Sequence, residues 1–114
     1  MEKRRGNRYK KRFTIKFGIQ DTKAVGFVED ISSTGLRIKT ATVFKPGLTL
    51  KMEIFNESTD QVMYAEGVIM WAIKVPPDMM RKKRCGMGVT YLKFDSNMHA
   101  FLVDLLKKDE AGSG

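Results

Sequence analysis

The feature that most constrains this chain is a repeated alternation of apolar and polar residues. Phe13, Ile15, Phe17 and Ile19 alternate with Thr14, Lys16 and Gly18. Leu48, Leu50, Met52 and Ile54 alternate in the same way with Thr49, Lys51 and Glu53. A period of two puts every second side chain on one face of an extended backbone, so these stretches read as β-strands with one buried face. Three further strands follow from apolar, β-branched runs: Ala24 to Ile31, Gly35 to Thr40 with Leu36 and Ile38 inward and Arg37 and Lys39 outward, and Cys85 to Leu92. Gln61 to Val75 reads as one long strand, or two joined by a bend near Gly67. Its second half, Val68 to Ile73, is apolar on both faces and is expected to be central or covered by a helix, with Trp71 in the core.

Turn chemistry separates these runs at Gln20–Lys23, Lys45-Pro46-Gly47, Asn56–Asp60 and Pro76-Pro77-Asp78. The period then changes. Met98, Phe101, Leu102, Leu105 and Leu106 fall at i, i+3, i+4, i+7 and i+8, one apolar stripe of a helix that Asp95 or Ser96 can cap and that Lys107 and Lys108 suit at its end. Short strands at regular spacing followed by one helix predict an all-β domain, a small antiparallel barrel with a C-terminal helix packed on it. The expected organisation is a flexible basic arm over residues 1–12, the barrel and helix over 13–108, and a disordered tail over 109–114.

Charge and composition narrow the function. The net charge is +8, and eight of the 21 basic residues lie in the first 16 positions against Glu2 alone. Such a basic segment either binds an anion or serves as a solvated tail. A second basic cluster, Arg81 to Arg84, is placed in a loop. No apolar run approaches the ~20 residues of a membrane-spanning helix, and the basic N-terminus lacks the apolar stretch of a secretory signal. The single cysteine, Cys85, is expected to be a packed small residue in a reducing, cytoplasmic setting. The single histidine, His99, has no second His or Cys with which to hold a metal. With one candidate base and no nucleophile elbow, the chain is not expected to be an enzyme.

The stretch Asp30-Ile-Ser32-Ser-Thr-Gly35 interrupts two strands. Asp and Ser can accept backbone N–H bonds there, and Gly can supply the positive φ of a tight turn. Set beside Arg8 and Arg12, the carboxylate and hydroxyl suggest a pocket for a small anionic ligand with polar base edges. Gly86 and Gly88, on one face of the last strand, suggest close approach by another backbone or by a ligand, or a barrel corner.

These residues resemble the PilZ domain family. The resemblance rests on Arg8-Tyr-Lys-Lys-Arg12 directly before the first strand, an Arg-x-x-x-Arg motif, and on Asp30-Ile-Ser32-Ser-Thr-Gly35, an Asp/Asn-x-Ser-x-x-Gly motif. It continues in Leu36-Arg-Ile, in the Gly-Val-Ile-Met-Trp strand ending at Trp71, and in Gly86-Met-Gly-Val before the helix. Arg4 and Arg8 also fit the first motif, but the strand begins directly after Arg12. Asn7 stands where many relatives carry another Arg, and Arg5 or Arg4 can substitute. The resemblance implies a six-stranded antiparallel barrel that takes cyclic di-GMP as its ligand and needs no cofactor. It implies a site built from Arg8, Arg12, Asp30, Ser32 and Gly35, with Asn7, Arg5, Arg4 and Gly88 around it, and a downstream protein partner. Gly35 would keep the turn open for the ligand. Two other readings stay open: a barrel that binds single-stranded nucleic acid, against which the aromatics Phe13, Phe17 and Trp71 read as buried, and a PilZ-type adaptor that binds a protein and no nucleotide.

Overall fold

The computed structural model describes residues 13–76 and 85–113, with side chains through residue 107. The expected arm at 1–12 and the basic cluster Arg81–Arg84 lie outside the described residues. Six strands close into an antiparallel barrel: β1 (Phe13–Gly18), β2 (Ala24–Ile31), β3 (Gly35–Lys39), β4 (Thr49–Asn56), β5 (Gln61–Ile73) and β6 (Gly86–Phe94). The order around the barrel is β1-β2-β3-β6-β5-β4, so β4 returns to pair with β1 and no edge is left open. One helix, α1 (Ser96–Ser113), follows. It is not long and apolar enough to cross a membrane.

The period-two residues fill the interior. Phe13, Ile15 and Phe17 of β1 meet Leu50, Met52 and Ile54 of β4, with Leu36, Ile38, Met63, Ile69, Met87 and Val89 completing a buried core. Helix α1 adds to it. Asp95 Oδ1 accepts a hydrogen bond from the Met98 N–H at 2.9 Å, which caps the first turn. Asn97 donates to the Val62 carbonyl at 3.1 Å and anchors the helix to β5. Met98, Leu102 and Leu105 are buried, and Phe101 meets Phe13 edge to face at 5.5 Å. Cys85 is buried as expected, and His99 stacks on Phe94.

Strand β5 is one continuous strand, the first of the two readings, although its register shifts between Glu66 and Gly67 and again between Ile69 and Trp71. Three expectations need correction. Leu106, assigned to the apolar stripe, is 47% exposed, because the barrel contacts a strip narrower than the sequence pattern. The helix backbone continues to Ser113, so residues 109–113 extend α1 rather than forming a tail beyond it. The second half of β5 is not covered: Met70, Trp71 and Ile73 are all exposed, Trp71 by 39%.

The second shift explains Trp71. Ile69 points inward opposite Val89, so unbroken alternation would send Met70 outward and Trp71 inward. The extra residue instead sets Trp71 opposite Gly88, on the outer face.

Truncation should separate the two ends of the helical stripe. Leu102→Ala should lower unfolding free energy by about 2–5 kcal/mol in a urea titration, the range for a buried leucine. Leu106→Ala should change it by less than about 0.5 kcal/mol, as expected for an exposed position.

Candidate functional site

The motif turn is built by Ser32. Its N–H donates to the Gly35 carbonyl at 2.9 Å, and its Oγ accepts from the N–H groups of Thr34 and Gly35, both at 3.3 Å. Strand β6 holds the same turn from the side. The Tyr91 N–H donates to the Thr34 carbonyl at 3.0 Å, and the Tyr91 hydroxyl donates to the Ser32 carbonyl at 3.1 Å. Burial pushes the Tyr91 phenol well above its ordinary pKa, so the donor stays protonated at any physiological pH.

Asp30 behaves differently from the expectation that it would accept backbone bonds. The partner found for it is Arg37, whose Nη2 donates to Asp30 Oδ2 at 3.1 Å. A register shift between Val28 and Asp30 makes this possible. Val28 pairs with the inward Ile38, so an unshifted strand would set Glu29 opposite Arg37 and turn Asp30 toward the core. The bulge brings Asp30 to the outer face instead.

Gly35 also departs from its expected role. Among the described residues the glycine with positive φ is Gly47, not Gly35. A Cβ on Gly35 would run into the carbonyl oxygen of Val89. The residue is therefore small because β3 crowds β6, and not in order to reach a left-handed conformation. Of the two β6 glycines, Gly86 lies against the Ile38 carbonyl and Gly88 lies under the Trp71 indole, where a Cβ would overlap the ring. Close approach by another backbone is thus found at Gly86, whereas the neighbour of Gly88 is an aromatic side chain, which was not among the expected alternatives.

Cross-strand register assembles these groups. Asp30 faces Arg37, Arg37 faces Gly88, and Gly88 faces Trp71, one row across β2, β3, β6 and β5. The row opens into a cavity of about 280 Å³ that Ser32 and Thr34 also line. The Trp71 indole covers the Gly88 backbone there, and the Asp30–Arg37 ion pair lies beside it. The site residues Asp30, Ser32, Gly35 and Gly88 come together here, while Arg4, Arg5, Asn7, Arg8 and Arg12 lie outside the described residues. Phe13, the first described residue, stands at the end of β1 that lies beside the Asp30 end of β2, because Thr14 pairs with Phe27 in antiparallel register.

Arg37 and Trp71 were not singled out as site residues by the sequence. The outward parity of Arg37 was readable, but its partner was not, since the bulge at Glu29 has no sequence signature. A larger groove of about 670 Å³ lies on the outer face of β1, β2 and β4, where Val25 and Phe27 are exposed. It contains none of the motif residues, and its lining combines Ile15, Val25, Phe27 and Phe55 with Lys16, Lys39 and Glu53. Among the described residues no cluster of three or more His, Cys, Asp or Glu gathers to hold a metal.

A family model described as PilZ domain matches residues 2–108 of the chain. Among solved structures, the chain is similar to the Bacillus subtilis inhibitor of motility (MotI/DgrA), with a TM-score of 0.67 at 15% sequence identity. That match covers 91% of this chain and 50% of the other, so the chain spans about half the length of that protein, and the likeness is one of fold. No curated protein matches the sequence.

The glycines should respond differently to an added methyl group. Gly88→Ala should displace the indole, and because Trp71 is the single tryptophan its emission should shift to the red with little loss of stability. Gly35→Ala meets backbone that cannot swing away and should cost about 1–3 kcal/mol in denaturant unfolding, the range for overpacking.

Proposed function

The chain belongs to the PilZ domain family, and from that premise we propose that it is a receptor for cyclic di-GMP that signals by rearranging its N-terminal arm. The observation that carries the reading is the juxtaposition of the Asp30–Gly35 turn, the Arg37–Gly88–Trp71 row and the root of the arm at one end of the barrel.

The chemistry of each group suits a guanine dinucleotide. Guanine presents N1–H and N2–H₂ donors along one edge, which the Asp30 carboxylate accepts. Ser32, fixed by its own turn, offers its oxygen to the base edge or to a phosphate. The exposed face of the Trp71 indole takes a base by stacking, and the absence of a side chain at Gly88 lets the indole lie close to the sheet. Arg8 and Arg12 supply planar guanidinium forks for the two phosphates and for guanine O6 and N7, beside Arg37, which is engaged with Asp30. Asn7, Arg5 and Arg4 extend the same arm. Ordering the arm costs conformational entropy, which several simultaneous charge-assisted bonds offset. The arm, once folded over the nucleotide, presents a new surface to a protein partner. In this reading the protein is a receptor rather than a catalyst, and it functions in the cytoplasm, where the nucleotide is made and read.

One observation favours a second reading. Trp71 and Phe27, 39% and 53% exposed, are available for base stacking, whereas the sequence had placed Trp71 in the core. A single-stranded nucleic acid could use such aromatics together with the basic arm. The two ligands differ in salt response. A polymer engaging six or more phosphates loses affinity steeply with salt, while a dinucleotide with two shows a shallow slope.

Calorimetric titration with cyclic di-GMP tests the proposal. Wild-type protein should bind saturably with a shallow salt slope, and Arg12→Ala should abolish detectable binding. Trp71→Ala should weaken binding by about 1–3 kcal/mol, the measured range for one base–aromatic stack. Wild-type protein that binds no dinucleotide, or an unaltered affinity for Arg12→Ala, would refute the assignment.

A further inference from the structure

The cavity contains a chemical conflict. Its lining includes one carboxylate, Asp30, at the place where a dianionic nucleotide would enter. A carboxylate is a good acceptor for guanine N1–H and N2–H₂ but repels phosphate. Among the described residues the lining also contains one cation, Arg37. It stands directly opposite Asp30 in the β2–β3 ladder, 3.1 Å from Oδ2, and directly opposite Gly88 on its other side.

Resting on the reading above, we propose that Arg37 is the built-in counter-ion of Asp30, a positioning residue that lets an acidic group read guanine inside an anion-binding site. The pair is neutral as a unit, so the phosphates approach without meeting a bare negative charge. The ion pair also directs the carboxylate. With Oδ2 held by the guanidinium, the carboxylate keeps one rotamer at the cavity lining before the ligand arrives. The bulge at Glu29 serves this pairing, because an unshifted strand would set Glu29, not Asp30, against Arg37. Both side chains are more than half exposed, so the pair does little for the fold itself. Its significance is therefore in binding.

This role makes a demand that a direct phosphate contact does not. The need for Arg37 must depend on the charge of Asp30 and must fade as salt screens that charge. The experiment is a calorimetric double-mutant cycle on the full chain with cyclic di-GMP, using Arg37→Gln, Asp30→Asn and the pair together. Arg37→Gln should weaken binding about fivefold to tenfold, as expected for an unneutralised charge several ångströms from two phosphates in a wet site. In the D30N background the same substitution should have almost no effect. The wild-type-background deficit should also close between about 0.1 M and 1 M salt, where the screening length drops from about 10 Å to about 3 Å. Equal losses in both backgrounds, or a deficit that persists at high salt, would make Arg37 a direct ligand and overturn the counter-ion role. If D30N alone abolishes binding, the salt series decides between the two. No effect of Arg37→Gln on a wild-type protein that binds would overturn this inference and leave the receptor assignment standing. Failure of the wild type to bind would overturn both.

Discussion

Two one-residue register shifts, one on each side of the β3–β6 pair, are the constraint on which the site depends. In a closed barrel the parity of a residue decides whether it joins the core or the surface, and parity is counted from the last paired residue. Between Val28 and Asp30 the count slips by one, and Asp30 moves to the outer face. Between Ile69 and Trp71 it slips again, and Trp71 follows. Without the shifts, both residues would point at the core, where an unpartnered carboxylate would be costly. The two bulges converge on one lateral row because β6 pairs with both β3 and β5 and has a glycine at the crossing. Gly88 is thus the point at which two distant stretches of sequence meet.

The motif turn depends on the same strand. Tyr91 donates from both its backbone and its hydroxyl to carbonyls of the turn, and its ring meets Phe94 edge to face at 5.8 Å. Phe94 stacks in turn on His99 in the first turns of α1. The turn is therefore braced by β6, and β6 is packed against the helix. Ser32 contributes the local half of this bracing by satisfying the N–H groups of Thr34 and Gly35. A turn whose backbone groups are met by its own serine and by the neighbouring strand keeps its shape without help from a ligand.

Much of the fold was readable from the chain alone, and the reason is physical. Phe13 to Phe17 and Leu50 to Ile54 alternate without exception because each side chain either fills the barrel or faces water. The helical stripe was equally clear in its first four members, Met98, Phe101, Leu102 and Leu105. What was not readable lies where periodicity breaks. Trp71 was read as a core residue because six apolar residues in a row carry no parity information, and the bulge that exposes it depends on its fit over Gly88. The acidic motif residue was recognised, but its pairing with Arg37 needs a register that follows from three-dimensional closure. Gly35 was read as a source of positive φ, but a local turn signal stood there for a long-range contact with Val89. The apolar surface at Val25 and Phe27 shows the converse. Hydrophobicity identified a strand there, yet it could not say which of two faces the barrel would cover.

The described strands bring four different chemistries to one face. The carboxylate of Asp30, the hydroxyl of Ser32, the guanidinium of Arg37 and the ring of Trp71 all stand on paired strands or on a braced turn. Positions on regular elements lose little further freedom on binding. In the proposed receptor the phosphate forks, Arg8 and Arg12, come from the segment that precedes Phe13, beside the Asp30 end of β2. The sheet of that receptor would present a prearranged cup and the segment would close it, so a partner would read the state of the segment rather than that of the barrel.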